Sequence, residues 1–351
     1  MTCGDCDRCR ELGYKYCNRC GADLSGEQKE IVIPTPEEKK EATFKKMVIP
    51  SMILIIIGVV ADVILLITNF IGSWELVFYK TISVYLYFIY DVHVYITGLP
   101  AQIYFALMAI CLIAAAAKML YDSKDVFIIG DKDYVDKASM TPVYWIALLF
   151  GTTILIEVLM SLIMQVNGQE VVIPDWMNKM TFEEALFSYT RASVWEEIAF
   201  RVVLFGIPMM IIALILRKKD FYKYPFGGFG SSRIAMIILV ISSLLFAYAH
   251  VGGWGLWKMF PTVIGGFAMG YLYMRFGIHV SIIFHGITDF MGMYMMTDMM
   301  LYEAFWLLSI LFLALICYPL LAKKTYKGIL KLKDMPWWRS DEPVQNDSNE
   351  D

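Results

Sequence analysis

Charge is scarce in this chain and unevenly spread. Only 18% of its 351 residues are Asp, Glu, Lys or Arg, while 58% are hydrophobic. That balance excludes an ordinary soluble domain and reads as a polytopic membrane protein. Histidine is rarer still, at four residues, so chemistry that needs imidazole rests on very few positions. Outside the first 20 residues there are two cysteines, Cys111 and Cys317, both inside apolar runs where they act as small hydrophobes. No basic leader with a short apolar core and a small-residue cleavage site opens the chain, so no removed signal peptide is expected. HExxH boxes, Walker loops, GxSxG elbows and internal repeats are missing. The formal net charge of -4 is uninformative, since much of the acid sits in the C-terminal tail and short loops, and no nucleic-acid partner is expected.

What is present begins with cysteine. Five of the seven, Cys3, Cys6, Cys9, Cys17 and Cys20, crowd the segment CGDCDRCRELGYKYCNRCGADL. Cys6-x-x-Cys9 and Cys17-x-x-Cys20 form two knuckles, and Gly21 lets the backbone turn its NH groups toward thiolate sulfur. Four thiolates at this spacing suit tetrahedral zinc; a disulfide cluster is the alternative. The segment is too short to bury a core, so metal binding would supply most of its folding free energy, about 10 to 16 kcal/mol in zinc-finger peptides. Cys3 is able to substitute for Cys6. Thiolate ligation favours a reducing compartment and so a cytoplasmic N-terminus.

The expected organisation is a zinc ribbon over 1–24, a polar linker over 25–46, a transmembrane helical domain over 47–322 and a cytoplasmic disordered tail over 323–351, acidic after Trp337 and Trp338. The fold class is all-α polytopic membrane protein with about eight transmembrane helices. Apolar runs lie near 47–70, 98–120, 142–166, 191–216, 232–250, 259–276, 279–297 and 301–322, each near the roughly 20 residues of a crossing. The stretch 81–100 is apolar and aromatic but interrupted by Asp91 and His93, and it reads as interfacial or re-entrant. With eight spans, Lys39, Lys40, Lys45 and Lys46, then Lys118 to Lys137, then Arg217 to Lys223, then Lys323 to Lys333 fall on one face. This predicts a multi-pass protein of the cell membrane with both termini cytoplasmic. The acidic loop over 167–190 then lies outside.

Against that background, charge inside apolar runs stands out. VWEEIAFRVVLF places Glu196, Glu197 and Arg201 in one such run, where each costs roughly 2.5 to 3.5 kcal/mol to insert. Glu197 and Arg201 share a helix face, while Glu196 projects about 100° away. Arg201 is thus placed to hold Glu197 ionised, which leaves Glu196 available as a general base. A purely structural salt bridge is the plainer alternative. Phe246 and His250 are four apart in a second helix, and His285 and Asp289 repeat that spacing in a third. Asp62 and Glu157 read as structural, pairing with each other, with Arg201 or with backbone donors. Gly266-x-x-x-Gly270 lets its helix approach a neighbour closely.

Glu-Glu-x-x-x-Arg, Phe-x-x-x-His and His-x-x-x-Asp, in this order on the fourth, fifth and seventh helices, resemble the motif set of the CPBP family. This is the Abi or type II CAAX prenyl endopeptidase group, related to the Ras-converting protease; the resemblance covers roughly 140–300. It implies an intramembrane endopeptidase in which Glu196 and His250 activate a water, with no catalytic metal. His285 and Asp289 would stabilise the oxyanion, although many relatives have Asn where this chain has Asp289. The implied substrate is a membrane-associated peptide or a prenylated protein, in contact with membrane lipid. Other readings use the same residues. His250, His285 and a glutamate form a zinc site in one, buried carboxylates line a proton-coupled carrier in another, and a third is a non-catalytic scaffold recruiting partners through the ribbon.

Overall fold

A computed structural model describes residues 6, 16–17, 19–22, 42–43, 45–87, 91–128, 134–169, 174–295 and 300–338. Cys3, Cys9, most of the linker and the tail from 339 onward, all assigned above, lie outside the described residues. Met1–Glu41 and Ala42–Asp351 are separate compact units.

The second unit is helical, and eight long helices coincide with the eight apolar runs. They are α1 (Ile49–Phe78), α2 (Leu99–Asp122), α3 (Pro142–Val166), α4 (Phe182–Ile215), α5 (Arg233–Trp254), α6 (Met259–Phe276), α7 (Ile278–Met295) and α8 (Met300–Lys331). Among the described residues five of them, α1 to α5, are long and apolar enough to cross a membrane. Length and composition pick out these five, and the expected eight crossings are not established. The helices α6 and α7 have 18 residues each, at the short end of what a bilayer core requires.

Helix ends follow local chemistry. Thr181 caps α4 in a capping box, accepting from the Glu184 amide while the Glu184 carboxylate accepts from the Thr181 amide at 3.0 Å. Ser232 caps α5 and Thr141 caps α3 through the same side-chain acceptance. Helix α4 then departs from regular winding. Ile198–Gly206 is a π-helix between α-helical halves, immediately before Pro208 in the first turn of the second half. Proline has no N–H to donate, and its ring collides with the carbonyl four residues back in an α-helix. The wider i→i+5 winding accommodates both constraints.

Helix α5 packs on α6, α4 on α7, and α3 on α8. The α5–α6 approach uses the glycine pair expected above. A Cβ on Gly266 would stand 3.3 Å from the Ser243 Cα, and one on Gly270 would stand 2.3 Å from a Leu239 methyl. The basic segments meet at one end of the bundle. There Lys45 pairs with Asp136 at 3.3 Å, Arg233 Nε donates to the Met335 carbonyl at 2.6 Å, and the tilted rings of Tyr224 and Trp338 pack 5.4 Å apart between centroids.

The segment 81–100 adds one element to the helical architecture. It contains an antiparallel hairpin of β1 (Ile82–Tyr87) and β2 (Asp91–Ile96), with Tyr85 opposite His93. Its alternation of β-branched and aromatic residues is strand chemistry. Six residues per strand fall short of the 9 to 11 that a spanning strand needs, so the hairpin does not cross.

Gly206 sits at the tightest backbone crossing in α4, where a Cβ would stand 2.8 Å from the Pro225 Cα and 3.0 Å from the Tyr224 carbonyl oxygen. Backbone cannot swing aside as a side chain does. Gly206→Ala is expected to destabilise the fold by about 1–3 kcal/mol, seen as a lower thermal midpoint in detergent. An unchanged midpoint would show that the 224–225 loop is free to retreat.

Candidate active site

Three helices bring the scattered motifs together. Glu197, at the end of the first α-helical half of α4, is fully buried, as is Arg201 one turn on. The Arg201 Nε lies 3.2 Å from Glu197 Oε2, and its Cζ lies 5.1 Å from the Phe246 ring on α5. Its two terminal nitrogens make no hydrogen bond. The guanidinium is therefore balanced by one carboxylate and one aromatic face, both dry.

Glu197 also reaches α7. His285 Nδ1 lies 3.0 Å from Glu197 Oε1, and the Ser281 hydroxyl donates to Glu197 Oε2. The pairing expected from sequence, Glu197 with Arg201, is thus one part of a larger clamp. Ser281, His285 and Asp289 are spaced by four, a stripe on one face of α7. Ser281 was not singled out from sequence, although that spacing marks it.

Glu196 faces a different environment. Its side chain is 15% exposed, and those of His250 and Asp289 are 22% and 23% exposed, against 0% for Glu197 and Arg201. The doublet therefore straddles the boundary between a dry clamp and a partly open cavity. Glu196 Oε2 is buried, makes no hydrogen bond, and lies 3.7 Å from His250 Nε2 and 4.0 Å from His285 Nε2. The His250 tautomer follows from its other nitrogen, since Nδ1 lies 2.8 Å from the Phe246 carbonyl. A carbonyl only accepts, so Nδ1 carries the proton and Nε2 presents a lone pair toward Glu196 in the neutral ring. Phe246 itself packs against both histidines, tilted to His250 at 4.7 Å and edge-to-face with His285 at 6.0 Å between centroids. Asp289 Oδ2 lies 3.4 Å from His285 Nε2.

The structure thus brings Glu196, Glu197, Arg201, Phe246, His250, His285 and Asp289 into one cluster. Asp62 and Glu157 do not join it, and neither meets the other or Arg201. Asp62 on α1 accepts from the Tyr294 hydroxyl at 2.6 Å, and Glu157 on α3 pairs with Lys258. Each is satisfied by a donor of its own.

Residues 179–291 match the family model described as type II CAAX prenyl endopeptidase Rce1-like. Over that span the chain is similar to the Rce1-like family. The matched span holds all seven clustered residues and is narrower than the resemblance read from the motifs. It excludes α1 to α3, the hairpin and the cysteine segment. That family is one of CAAX-type intramembrane proteases, and the long apolar helices are those of a multi-pass membrane protein. No curated protein and no solved structure matches the chain.

In the first unit, Cys6, Cys17 and Cys20 form the only group among the described residues whose His, Cys, Asp or Glu ligand atoms all lie within 4.8 Å of one another. The Cys6 and Cys20 sulfurs are 3.5 Å apart, too far for a disulfide and close to the edge of a tetrahedron with 2.3 Å Zn–S bonds. Gly21 adopts φ 73°, and its amide donates to the Cys17 carbonyl at 2.7 Å. This donor set fits a tetrahedral thiolate metal. Cys9, the expected fourth ligand, lies outside the described residues.

The buried clamp makes a stability prediction. Glu197→Gln leaves Arg201 as an uncompensated buried charge and is expected to cost about 3–5 kcal/mol. Adding Arg201→Met should recover a large part of that loss. A double-mutant cycle of unfolding midpoints reads the coupling, and strictly additive effects would rule out the clamp.

Proposed function

We propose that this protein is an intramembrane endopeptidase of the glutamic type, hydrolysing a peptide bond in a membrane-anchored or prenylated protein. The observation that carries the reading is the buried, unpartnered Glu196 Oε2 facing the lone-pair nitrogen of His250 at 3.7 Å. A water beside that line touches both acceptors. Glu196 takes one of its protons, and the resulting hydroxide attacks the substrate carbonyl carbon. His250 holds the second proton's direction and keeps the nucleophile aimed.

Negative charge then develops on the carbonyl oxygen. In its protonated form His285 donates from Nε2 to that oxygen, while Nδ1 is anchored on Glu197 at 3.0 Å. Protonated Asp289 is a second donor, and ionised Asp289 instead orients His285 at 3.4 Å. Losing one such donor costs roughly 2.7–4 kcal/mol in other hydrolases. Collapse of the intermediate breaks the C–N bond, and the proton held by Glu196 passes to the leaving nitrogen. The Glu197–Arg201 pair holds this apparatus in place and takes no proton itself.

The basic end of the bundle supports a cytoplasmic placement for both termini in the cell membrane. In the first unit the cysteines are read as a structural zinc ribbon, with Cys9 completing the set.

Two measurements test these readings. Purified protein in liposomes should cleave a lipid-anchored peptide, and Glu196→Gln or His250→Gln should reduce turnover at least about 100-fold. Full turnover in Glu196→Gln would eliminate the glutamate mechanism, and proton flux without cleavage would favour a carrier. Separately, a thiol-blocking reagent should release one zinc per chain, and Cys17→Ser should abolish that release. A chain lacking residues 1–24 should retain basal cleavage; loss of it would make the ribbon part of the catalytic unit.

A further inference from the structure

The base has a partner outside the matched family segment. The Tyr85 hydroxyl on β1 donates to Glu196 Oε1 at 3.0 Å, 111 positions away in sequence. Tyr85 is itself held at two further points. Trp195 Nε1, from the residue just before the glutamate doublet, donates to the Tyr85 carbonyl at 2.6 Å. The Arg191 guanidinium, one turn earlier in α4, lies 6.0 Å from the Tyr85 ring and 5.7 Å from Phe187. The hairpin is thus pinned to the stretch of α4 that carries Glu196. On β1, Ser83 bonds the paired strand through His93 Nδ1 at 2.7 Å, which braces the ribbon beneath Tyr85.

These contacts give the two oxygens of one carboxylate different environments. Oε1 is engaged by a phenol, while Oε2 is left without a hydrogen bond between the Nε2 atoms of two histidines. A carboxylate with both oxygens free rotates about its terminal torsion, which is broad and roughly two-fold. We propose that Tyr85 is a positioning residue that fixes the Glu196 carboxylate so that Oε2 alone faces the reacting water, with the hairpin as its mount. The inference rests on Glu196 being the general base. It adds a residue from an element that the three helical motifs do not include. Four groups besides Tyr85 face the carboxylate: His250 on α5, His285 and Asp289 on α7 and Tyr104 on α2. Of these, only His250 and His285 approach Oε2 within 4.0 Å.

Infrared spectroscopy and kinetics on the full-length protein in lipid bilayers test this. Subtracting the spectrum of Glu196→Gln isolates the Glu196 carboxylate stretch. Tyr85→Phe, which keeps the ring and its packing, is expected to shift that band. Tyr95→Phe, an exposed tyrosine on the other strand, is expected to leave it in place. With a lipid-anchored peptide, Tyr85→Phe should lower kcat about tenfold and keep KM within about twofold. An unmoved band, or a moved band with unchanged kcat, overturns the proposal. Unchanged turnover in Glu196→Gln instead overturns the assignment of Glu196 as the general base, and the band shift distinguishes the two failures.

Discussion

A fully buried arginine sets the terms for the whole interior. Arg201 cannot shed its charge, and in this bundle its guanidinium has one anionic partner and one aromatic face. Glu197 is therefore bound to it, and everything Glu197 touches is ordered in turn. Through Ser281 and His285 the carboxylate ties α4 to α7, and through Phe246 the guanidinium ties α4 to α5. Three helices that each carry only a fragment of the site are thereby registered by one ionic contact. The catalytic geometry proposed for Glu196 is a by-product of that registration, because Glu196 is covalently next to a residue that cannot move.

The hairpin complements the clamp from the opposite direction. Hydrogen bonds fix Glu197 from within the bundle, whereas Glu196 is fixed by a short sheet folded onto it. A two-stranded ribbon alone in water is marginal, and this one is held through Trp195 and Tyr85. The arrangement gives adjacent glutamates unlike surroundings, one dry and ion-paired, the other half-open and bonded to a phenol. Unlike surroundings are what allow two identical side chains to take different roles.

Much of this was legible in the chain itself. The eight apolar runs became eight helices because length and hydropathy leave few alternatives in lipid, and the i, i+4 spacings of Glu197 with Arg201 and His285 with Asp289 placed those pairs correctly on shared faces. Gly266 and Gly270 likewise marked a close helix contact before its partner was known. Three things were not legible. Ser281 was hidden because serine in an apolar helix is ordinarily satisfied by its own backbone. Tyr85 was hidden because nothing local reports a contact 111 residues away. The π stretch in α4 was missed because hydrophobic periodicity over nine residues barely separates it from α winding, even though Pro208 stood beside it as a cause.

That π stretch has a geometric consequence for how the helix carries load at its two ends. Each π turn holds about one residue more than an α turn, so the part of α4 bearing the glutamates and the part running to the basic end are out of phase. The first half aims its polar face by the demands of chemistry, and the second aims its apolar face by the demands of its surroundings. Deleting a single residue there with the winding otherwise unchanged would swing one half by roughly a quarter turn against the other. The length of this segment is therefore fixed more tightly than its composition, in a helix where most positions tolerate any apolar side chain of suitable size.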